Sequence, residues 1–317
     1  MRIRAGRPRR TLLAFGVAAA VVIPVSGAAR PEIPAPAPAA LGRVTAPALP
    51  AAYAANRANA TEAARLAEGY GAAERAAALR AMAAPGRQFL AFDARGTGRT
   101  AEVLGDLAHA DRVAVLVPGS DTSLDTYGRL RAGARALHAR TGPRTAVVAW
   151  LGYETPGTVS PAVLTTGRAD AAAPALRSFV DDLRGINAHA RVSLLCHSYG
   201  SVVCAAGASG PRGLDVADIA LYGSPGTGAD RAADLRTPAR IWAGRGAGDW
   251  IADVPHTSVG LFGATVGFGT DPVSDGFGAR VFAAGDGGHS DYLKPGSPSL
   301  RNLARIARGD TTEVTRA

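Results

Sequence analysis

The sequence predicts an α/β protein with one central, mostly parallel sheet flanked by helices. Apolar runs that do not alternate with polar residues are typical of strands buried on both faces. The predicted strands lie at 87–93, 112–117, 145–150, 191–196, 218–222, 239–243 and 280–284. Segments with helical periodicity separate them, at 124–139, 173–189, 198–208 and 299–308. Alternation of this kind requires right-handed crossovers, which make neighbouring strands parallel.

The chain is long enough for one large domain, which we place at 51–308 of its 317 residues. Ala-rich helices, broken near 69–71, form an N-terminal helical extension over 51–85. Residues 29–50 are rich in Pro and Ala and are predicted to be an extended linker. We expect residues 309–317 to be a flexible C-terminal tail.

Residues 1–28 are predicted to be an export signal. A basic region ends at Arg10, an apolar stretch follows over 11–25, and small residues come after it. Fifteen apolar residues are few for a bilayer span. We therefore expect a secreted or cell-envelope protein. An uncleaved N-terminal anchor is the alternative, and it would be the protein's only contact with a membrane.

The net charge of +9 does not point to nucleic acid. Five arginines lie within residues 1–10, and without them the net charge falls by five, to +4. The remaining cations are scattered, whereas phosphate contacts need clustered ones. We expect no nucleic-acid partner.

The two cysteines, Cys196 and Cys204, lie eight residues apart across a predicted strand-to-helix turn. That spacing predicts two small buried side chains rather than a disulfide. Two cysteines also do not make a zinc site. No metal or organic cofactor is expected.

Ser198 is the candidate nucleophile. An apolar strand, RVSLLC, runs directly into His197-Ser198-Tyr199-Gly200, and an apolar helix follows. This is the setting of a nucleophile elbow, in which a tight turn presents the serine at the carboxyl end of the sheet. The usual pattern is G-x-S-x-G, and here Cys196 replaces the first glycine. The alternative is a serine that caps an ordinary helix.

An acyl-transfer serine needs an imidazole base and a carboxylate, in the chain order Ser, acid, His. His289 follows the last predicted strand, and Asp249 follows the strand before it. His256 and Asp253 are the main rivals for these roles. His197 is disfavoured as the base because a neighbouring side chain points away from the serine hydroxyl.

Backbone N–H groups are expected to stabilise the oxyanion. One is that of Tyr199, directly after the nucleophile. The other is that of Ser120, in the loop after strand 112–117, with Asp121 as the alternative.

Two long connections, 152–172 and 256–278, are candidates for shaping substrate choice. The second combines Gly with Val, Leu and Phe. It is equally consistent with an apolar acyl pocket or mobile flap and with a packed loop. Trp250, beside Asp249, is expected to border the site.

Several separated motifs resemble, in order, those of the DUF1023 family of actinobacterial α/β-hydrolase-fold proteins. They are VLVPGSDTSLDTY, VVAWLGYETP, LLCHSYGSVV, LYGSPG, AGRGAGDWIADVPH, FGARVF and GGHSDYL. The resemblance covers about 51–308 and implies an α/β-hydrolase fold. It also places Ser198, Asp249 and His289 at the triad positions, and it supplies no substrate.

We therefore expect a serine hydrolase, most simply a carboxylic ester hydrolase acting through an acyl-enzyme. Its substrate would be a small-molecule or lipid-like acyl compound. The alternatives are an acyltransferase that uses the same triad and a non-catalytic envelope protein with this fold.

Overall fold

A computed structural model describes residues 32–210, 213–254, 256, 259–261 and 264–317. The predicted export signal therefore lies outside the described residues. Residues 34–317 form one compact unit. Within the described residues, no helix is both long enough and apolar enough to span a bilayer.

In the residues that the structure describes, eight strands form the central sheet, and two short ones form a separate hairpin. The strands are β1 (Gln88–Asp93), β2 (Arg99–Leu104), β3 (Arg112–Val117), β4 (Thr145–Leu151), β5 (Arg191–His197), β6 (Asp218–Tyr222), β7 (Arg240–Gly244), β8 (Val259–Leu261), β9 (Ala264–Val266) and β10 (Arg280–Val281). The spatial order of the large sheet is β1-β2-β4-β3-β5-β6-β7-β10. From β4 to β10 every pairing is parallel, whereas β1 and β2 pair antiparallel. The predicted mostly parallel sheet is confirmed.

Six α-helices accompany the sheet in the described part of the chain. They are α1 (Leu49–Gly69), α2 (Ala73–Met82), α3 (Tyr127–Thr141), α4 (Gly167–Ile186), α5 (Gly200–Ala208) and α6 (Pro298–Arg308). Helices α1 and α2 form the N-terminal helical extension and pack against each other, and α1 also packs on β1. Helix α3 packs against α6, and α4 packs against α5. These two pairs flank the sheet and bury its central strands.

The core lies at the centre of the sheet. All seven residues of β4 are buried, as are the last five of β3. These are Val-, Ala- and Leu-rich runs, as expected for strands covered on both faces. The central strands are thus held firmly from both sides, and the loops at their carboxyl ends start from fixed positions.

The structure differs from the sequence predictions at both ends of the domain. Helix α1 begins at Leu49, after a short 3-10 turn over Ala46–Ala48, and not at residue 51. Residues 309–317 are not a flexible tail: Arg316 forms a β-bridge with Phe282, and Val314 is buried. This segment is tied to the sheet because Thr315 O accepts a hydrogen bond from Ala283 N, just beyond edge strand β10.

The prediction of two unpaired cysteines is wrong, because Cys196 and Cys204 form a disulfide. The tight turn at residue 198 folds α5 back against β5. Residues eight apart therefore have their Cα atoms only 6.5 Å apart, within the range that a disulfide requires. Both side chains are completely buried.

Candidate active site

Ser198 lies at the turn between β5 and α5 in a strained backbone conformation. Its φ is +52°, a backbone angle that residues other than glycine rarely adopt. Its N–H donates to Tyr222 O at 3.0 Å, so pairing with β6 continues up to this residue. This is the geometry of a nucleophile elbow, and Ser198 is not simply a helix cap.

Two glycines allow the elbow to approach strand β3 closely. A Cβ atom on Gly200 would lie 2.5 Å from Val117 O, and one on Gly119 would lie 2.6 Å from Ser198 Cβ. Neither position has room for a side chain. The loop after β3 therefore packs directly against the serine.

His289 contacts Ser198 and Asp249 with its two ring nitrogens. Nε2 is 2.9 Å from Ser198 Oγ, and Nδ1 is 2.8 Å from Asp249 Oδ1. An ionised carboxylate only accepts hydrogen bonds, so the proton of neutral His289 is on Nδ1. The lone pair of Nε2 then faces the serine hydroxyl, which is the arrangement needed to accept its proton.

Asp249 is buried, with 2% of its surface exposed. It follows β7 and begins a 3-10 turn, where Oδ1 accepts the N–H of Ile251 at 2.9 Å. Oδ2 accepts the hydroxyl of Tyr292. Burial raises the pKa of Asp249, but the hydrogen bonds from His289, Tyr292 and Ile251 outweigh it and hold the pKa below its ordinary value. The carboxylate is therefore ionised at neutral pH.

The expected oxyanion donors lie on either side of Ser198. Within the described part of the chain, no acceptor is bonded to the backbone N–H of Tyr199 or of Ser120. The N–H of Asp121, the alternative donor, is already bonded to Pro156 O at 3.0 Å. Tyr153 stabilises the loop after β3, because its buried hydroxyl donates to Pro118 O at 2.7 Å. This arrangement favours Ser120 over Asp121.

The rivals of the two triad partners lie elsewhere. Asp253 is exposed on the 3-10 turn after Asp249. His256 Nδ1 is bonded to Pro225 O at 3.1 Å, and its Nε2 is 3.7 Å from Asp271 Oδ2. In the described part of the chain, neither is hydrogen-bonded or ion-paired to Ser198 or His289.

Aromatic side chains surround the base. Trp250 is half exposed and its ring centroid is 4.8 Å from that of His289, so it borders the site as predicted. His197 is equally close to His289, also at 4.8 Å.

The two long connections meet beside the elbow. Thr165 forms a β-bridge with Val266, and its carbonyl accepts the hydroxyl of Tyr199 at 2.7 Å. The second connection contains the β8–β9 hairpin. The two segments are thus packed on one another beside Tyr199, the residue that follows Ser198.

Sequence reasoning missed the parts that Tyr292, Tyr153 and the disulfide play here. Tyr292 follows His289 by three residues in the quoted motif GGHSDYL. That spacing was the available signal, since a polar aromatic residue so near the base is well placed to contact its carboxylate. Nothing in the sequence pattern marked Tyr153.

Among the described residues, no group of three or more His, Cys, Asp or Glu side chains is arranged to hold a metal ion.

Fold and site together define a protein of the α/β-hydrolase class, with a serine elbow at the carboxyl end of a mostly parallel sheet. Residues 93–259, just over half of the chain, match the model of a family described as alpha/beta hydrolase. The chain belongs to this family. The matched range contains Ser198 and Asp249, and His289 lies beyond it.

Relatives are found in mycobacteria. The uncharacterized protein Rv2079 of Mycobacterium tuberculosis (strain ATCC 25618 / H37Rv) is 33% identical over 246 residues, covering 68% of this chain and 37% of that protein. The uncharacterized protein Rv0963c of the same strain is 30% identical over 199 residues, covering 57% and 73% respectively. This chain therefore spans well under half the length of the first of these relatives.

Solved structures with similarity to this chain include XC6422 from Xanthomonas campestris, described as an α/β serine hydrolase without lid. It is 17% identical, with a TM-score of 0.47, and the match covers 72% of this chain and 95% of that one. The esterase LipW from Mycobacterium marinum is 16% identical, with a TM-score of 0.43, covering 80% and 91%.

Proposed function

We propose that this protein is a serine hydrolase that cleaves carboxylic esters through a Ser-His-Asp triad. The observation that carries the proposal is the continuous hydrogen-bonded chain from Asp249 through His289 to Ser198. The lowered pKa of Asp249 keeps its carboxylate ionised, as its role requires, and the serine sits at a strained elbow.

The proposed reaction has two halves. His289 Nε2 takes the proton of Ser198 as Oγ attacks the acyl carbonyl, and the oxyanion is bound by the N–H groups of Tyr199 and Ser120. His289 then gives the proton to the leaving alkoxide as the ester bond breaks. In the second half His289 deprotonates a water, which attacks the acyl-enzyme. The acid is released and Ser198 recovers its proton.

Labelling and turnover of Ser198→Ala test the proposal. A fluorophosphonate probe should label the wild type at Ser198 and leave the variant unlabelled. With p-nitrophenyl esters of increasing acyl length, Ser198→Ala should lose on the order of 10⁴-fold or more in kcat. Ser209→Ala is the matched control, because Ser209 is exposed at the end of α5. Equal rates in wild type and Ser198→Ala would reject the mechanism.

The same experiment addresses the alternatives. A non-catalytic envelope protein would remain unlabelled. An acyltransferase would label, but with an added alcohol or amine it would form the transfer product in preference to the free acid. The acyl length that gives the highest kcat/KM would define the substrate class of the pocket.

Export to an oxidising compartment is part of the proposal. The disulfide between Cys196 and Cys204 supports it, because such bonds persist mainly outside the reducing cytosol. N-terminal sequencing of secreted material should give a chain that starts near residue 29. A chain that retains its N-terminus and stays with membranes would favour the anchor instead.

We also assign the chain to the DUF1023 group within the alpha/beta hydrolase family. The ordered motifs quoted from LLCHSYGSVV to GGHSDYL support this assignment. It adds no substrate, so the ester series remains the informative experiment.

A further inference from the structure

His197 precedes the nucleophile in the sequence but contacts the base in the structure. Its Nε2 is 2.8 Å from the backbone carbonyl oxygen of His289, 92 residues away in the chain. We propose that His197 is a positioning residue that fixes the backbone of His289 to the strand carrying the nucleophile. The inference rests on the proposed function, in which His289 is the base.

The direction of this hydrogen bond follows from its acceptor. A carbonyl oxygen only accepts, so Nε2 of His197 must carry a proton. Burial, and then the charge of His289, lower the pKa of His197 from 6.5 to about 4. The ring is therefore neutral at neutral pH, with its single proton on Nε2. That proton is engaged with the carbonyl, so His197 acts on the base and not on the substrate.

The loop that carries His289 is bonded on either side of the histidine, by Ala247 N to Gly285 O at 2.9 Å and by Gly288 N to Asp291 Oδ2 at 3.0 Å. Three of the four residues before the histidine are Gly285, Gly287 and Gly288, and glycine restricts the backbone least. Asp249 and Ser198 hold the imidazole, but they contact only its nitrogens. The bond from His197 holds the main chain of the same residue.

The anchor itself is rigid. His197 is the last residue of β5, and its ring packs against Tyr222 and Tyr292 at centroid distances of 5.1 and 5.8 Å. Ser198 follows directly after the end of the same strand. The nucleophile and the anchor of the base therefore move as one unit, which keeps the distance from Nε2 of His289 to the hydroxyl constant.

Two substitutions separate the hydrogen bond from the packing of the ring. His197→Gln keeps an N–H donor at the position of Nε2 and removes the ring. His197→Phe keeps the ring and removes the donor. If the hydrogen bond positions the base, Gln should be the more active variant, even though Phe should be the more stable. If His197 has only a structural role, the more stable variant, His197→Phe, should also be the more active one.

We expect His197→Phe to lower kcat by about 10- to 100-fold, the scale of a displacement of about 1 Å in the site. KM should change by less than about threefold, because no substrate contact is lost. His197→Gln should retain kcat within about fivefold while melting at a lower temperature than His197→Phe. His189→Gln is the matched control, because that histidine is exposed at the far end of the sheet.

A readout that needs no turnover separates this inference from the proposed function. Nitrogen-15 NMR of the histidine rings at pH 7 should show His197 protonated at Nε2 alone. In His197→Phe the resonances of His289 should broaden as its loop gains motion. A proton on Nδ1 of His197, or wild-type kcat in His197→Phe, would overturn the inference. If the fluorophosphonate probe leaves the wild type unlabelled while His197 carries its proton on Nε2, the proposed function would be overturned and the hydrogen bond of His197 would stand.

Discussion

Asp249 is the residue of the candidate site whose ionisation depends most clearly on its surroundings. Its hydrogen bonds lower its pKa in the folded protein by more than burial raises it. A carboxylate with a depressed folded pKa adds stability above its unfolded pKa of about 4, and this stability is lost as the pH falls through the folded value. The same protonation would remove the charge that stabilises the imidazolium of His289.

Asparagine at position 249 tests this residue against its nearest rival. Asp249→Asn cannot ionise and permits the wrong tautomer of His289, so we expect kcat at pH 7 to fall by about 10⁴-fold. Asp253→Asn, four residues on and exposed, should keep kcat within about twofold. Steady-state kinetics on the two variants decides between the carboxylates, and a larger loss in Asp253→Asn would assign the acid to that residue.

The stability of Asp249→Asn should follow the same carboxylate. Its free energy of unfolding should be lower than that of the wild type at pH 7, and the deficit should be smaller at pH 3. Denaturant unfolding at the two pH values measures the difference. A deficit of equal size at both would mean that the ionised carboxylate contributes nothing to stability.

At the level of elements, the junction of β5 and α5 is closed covalently. The disulfide occupies the position where the usual elbow has its first glycine, since Cys196 lies two residues before Ser198. Ser201 Oγ adds a hydrogen bond to Cys196 O at 3.1 Å. Strand, turn and helix are thereby tied together around the strained serine.

Removing this disulfide should destabilise the protein. A bond between residues eight apart restricts only a short loop of the unfolded chain, so we expect Cys196→Ala/Cys204→Ala to lose about 2–3 kcal/mol in the free energy of unfolding. A reductant should lower the stability of the wild type in a denaturant titration and leave the double variant unchanged. Two titratable thiols in the denatured, unreduced wild type would contradict the bond.

For the whole molecule, the sequence predicted the buried strands, which are recognisable from their local apolar pattern. It did not predict elements whose polar side chains are buried against residues from distant segments. Strands β3 to β7 are predominantly apolar and largely buried, and the elbow follows from its strand and helix neighbours. Strand β2 was not predicted because its centre carries Glu102, a charge that is usually exposed. In the structure Glu102 is buried in an ion pair with Arg87 and accepts the hydroxyl of Tyr127 at 3.0 Å.

In the candidate site, too, the sequence predicted some features and missed others. Chain order and strand ends were sufficient to choose Ser198, Asp249 and His289, because the carboxyl ends of parallel strands meet at one edge. The disulfide was missed because its geometry depends on how sharply the turn folds α5 back. The contact of His197 with His289 was missed for a similar reason, since it joins the ends of two segments 92 residues apart.

The C-terminal segment completes the edge of the sheet, and its removal should affect the entire fold. Strand β10 has only two residues and lies at the edge, where unpaired backbone groups favour aggregation. The segment covers it through the bridge of Arg316 to Phe282 and the buried side chain of Val314. Asn302 of α6 also donates to Thr315 O at 3.4 Å.

We therefore expect deletion of residues 310–317 to lower the melting temperature by several degrees, on the scale of about 1–2 kcal/mol for a lost apolar contact and its backbone pairing. It should also increase aggregation on heating, because the backbone of β10 and Phe282 is uncovered. Differential scanning calorimetry and light scattering measure the two effects, with Thr312→Ala, an exposed position in the same segment, as the control. A deletion variant that melts with the wild type and stays monodisperse would show that β10 is protected by other means.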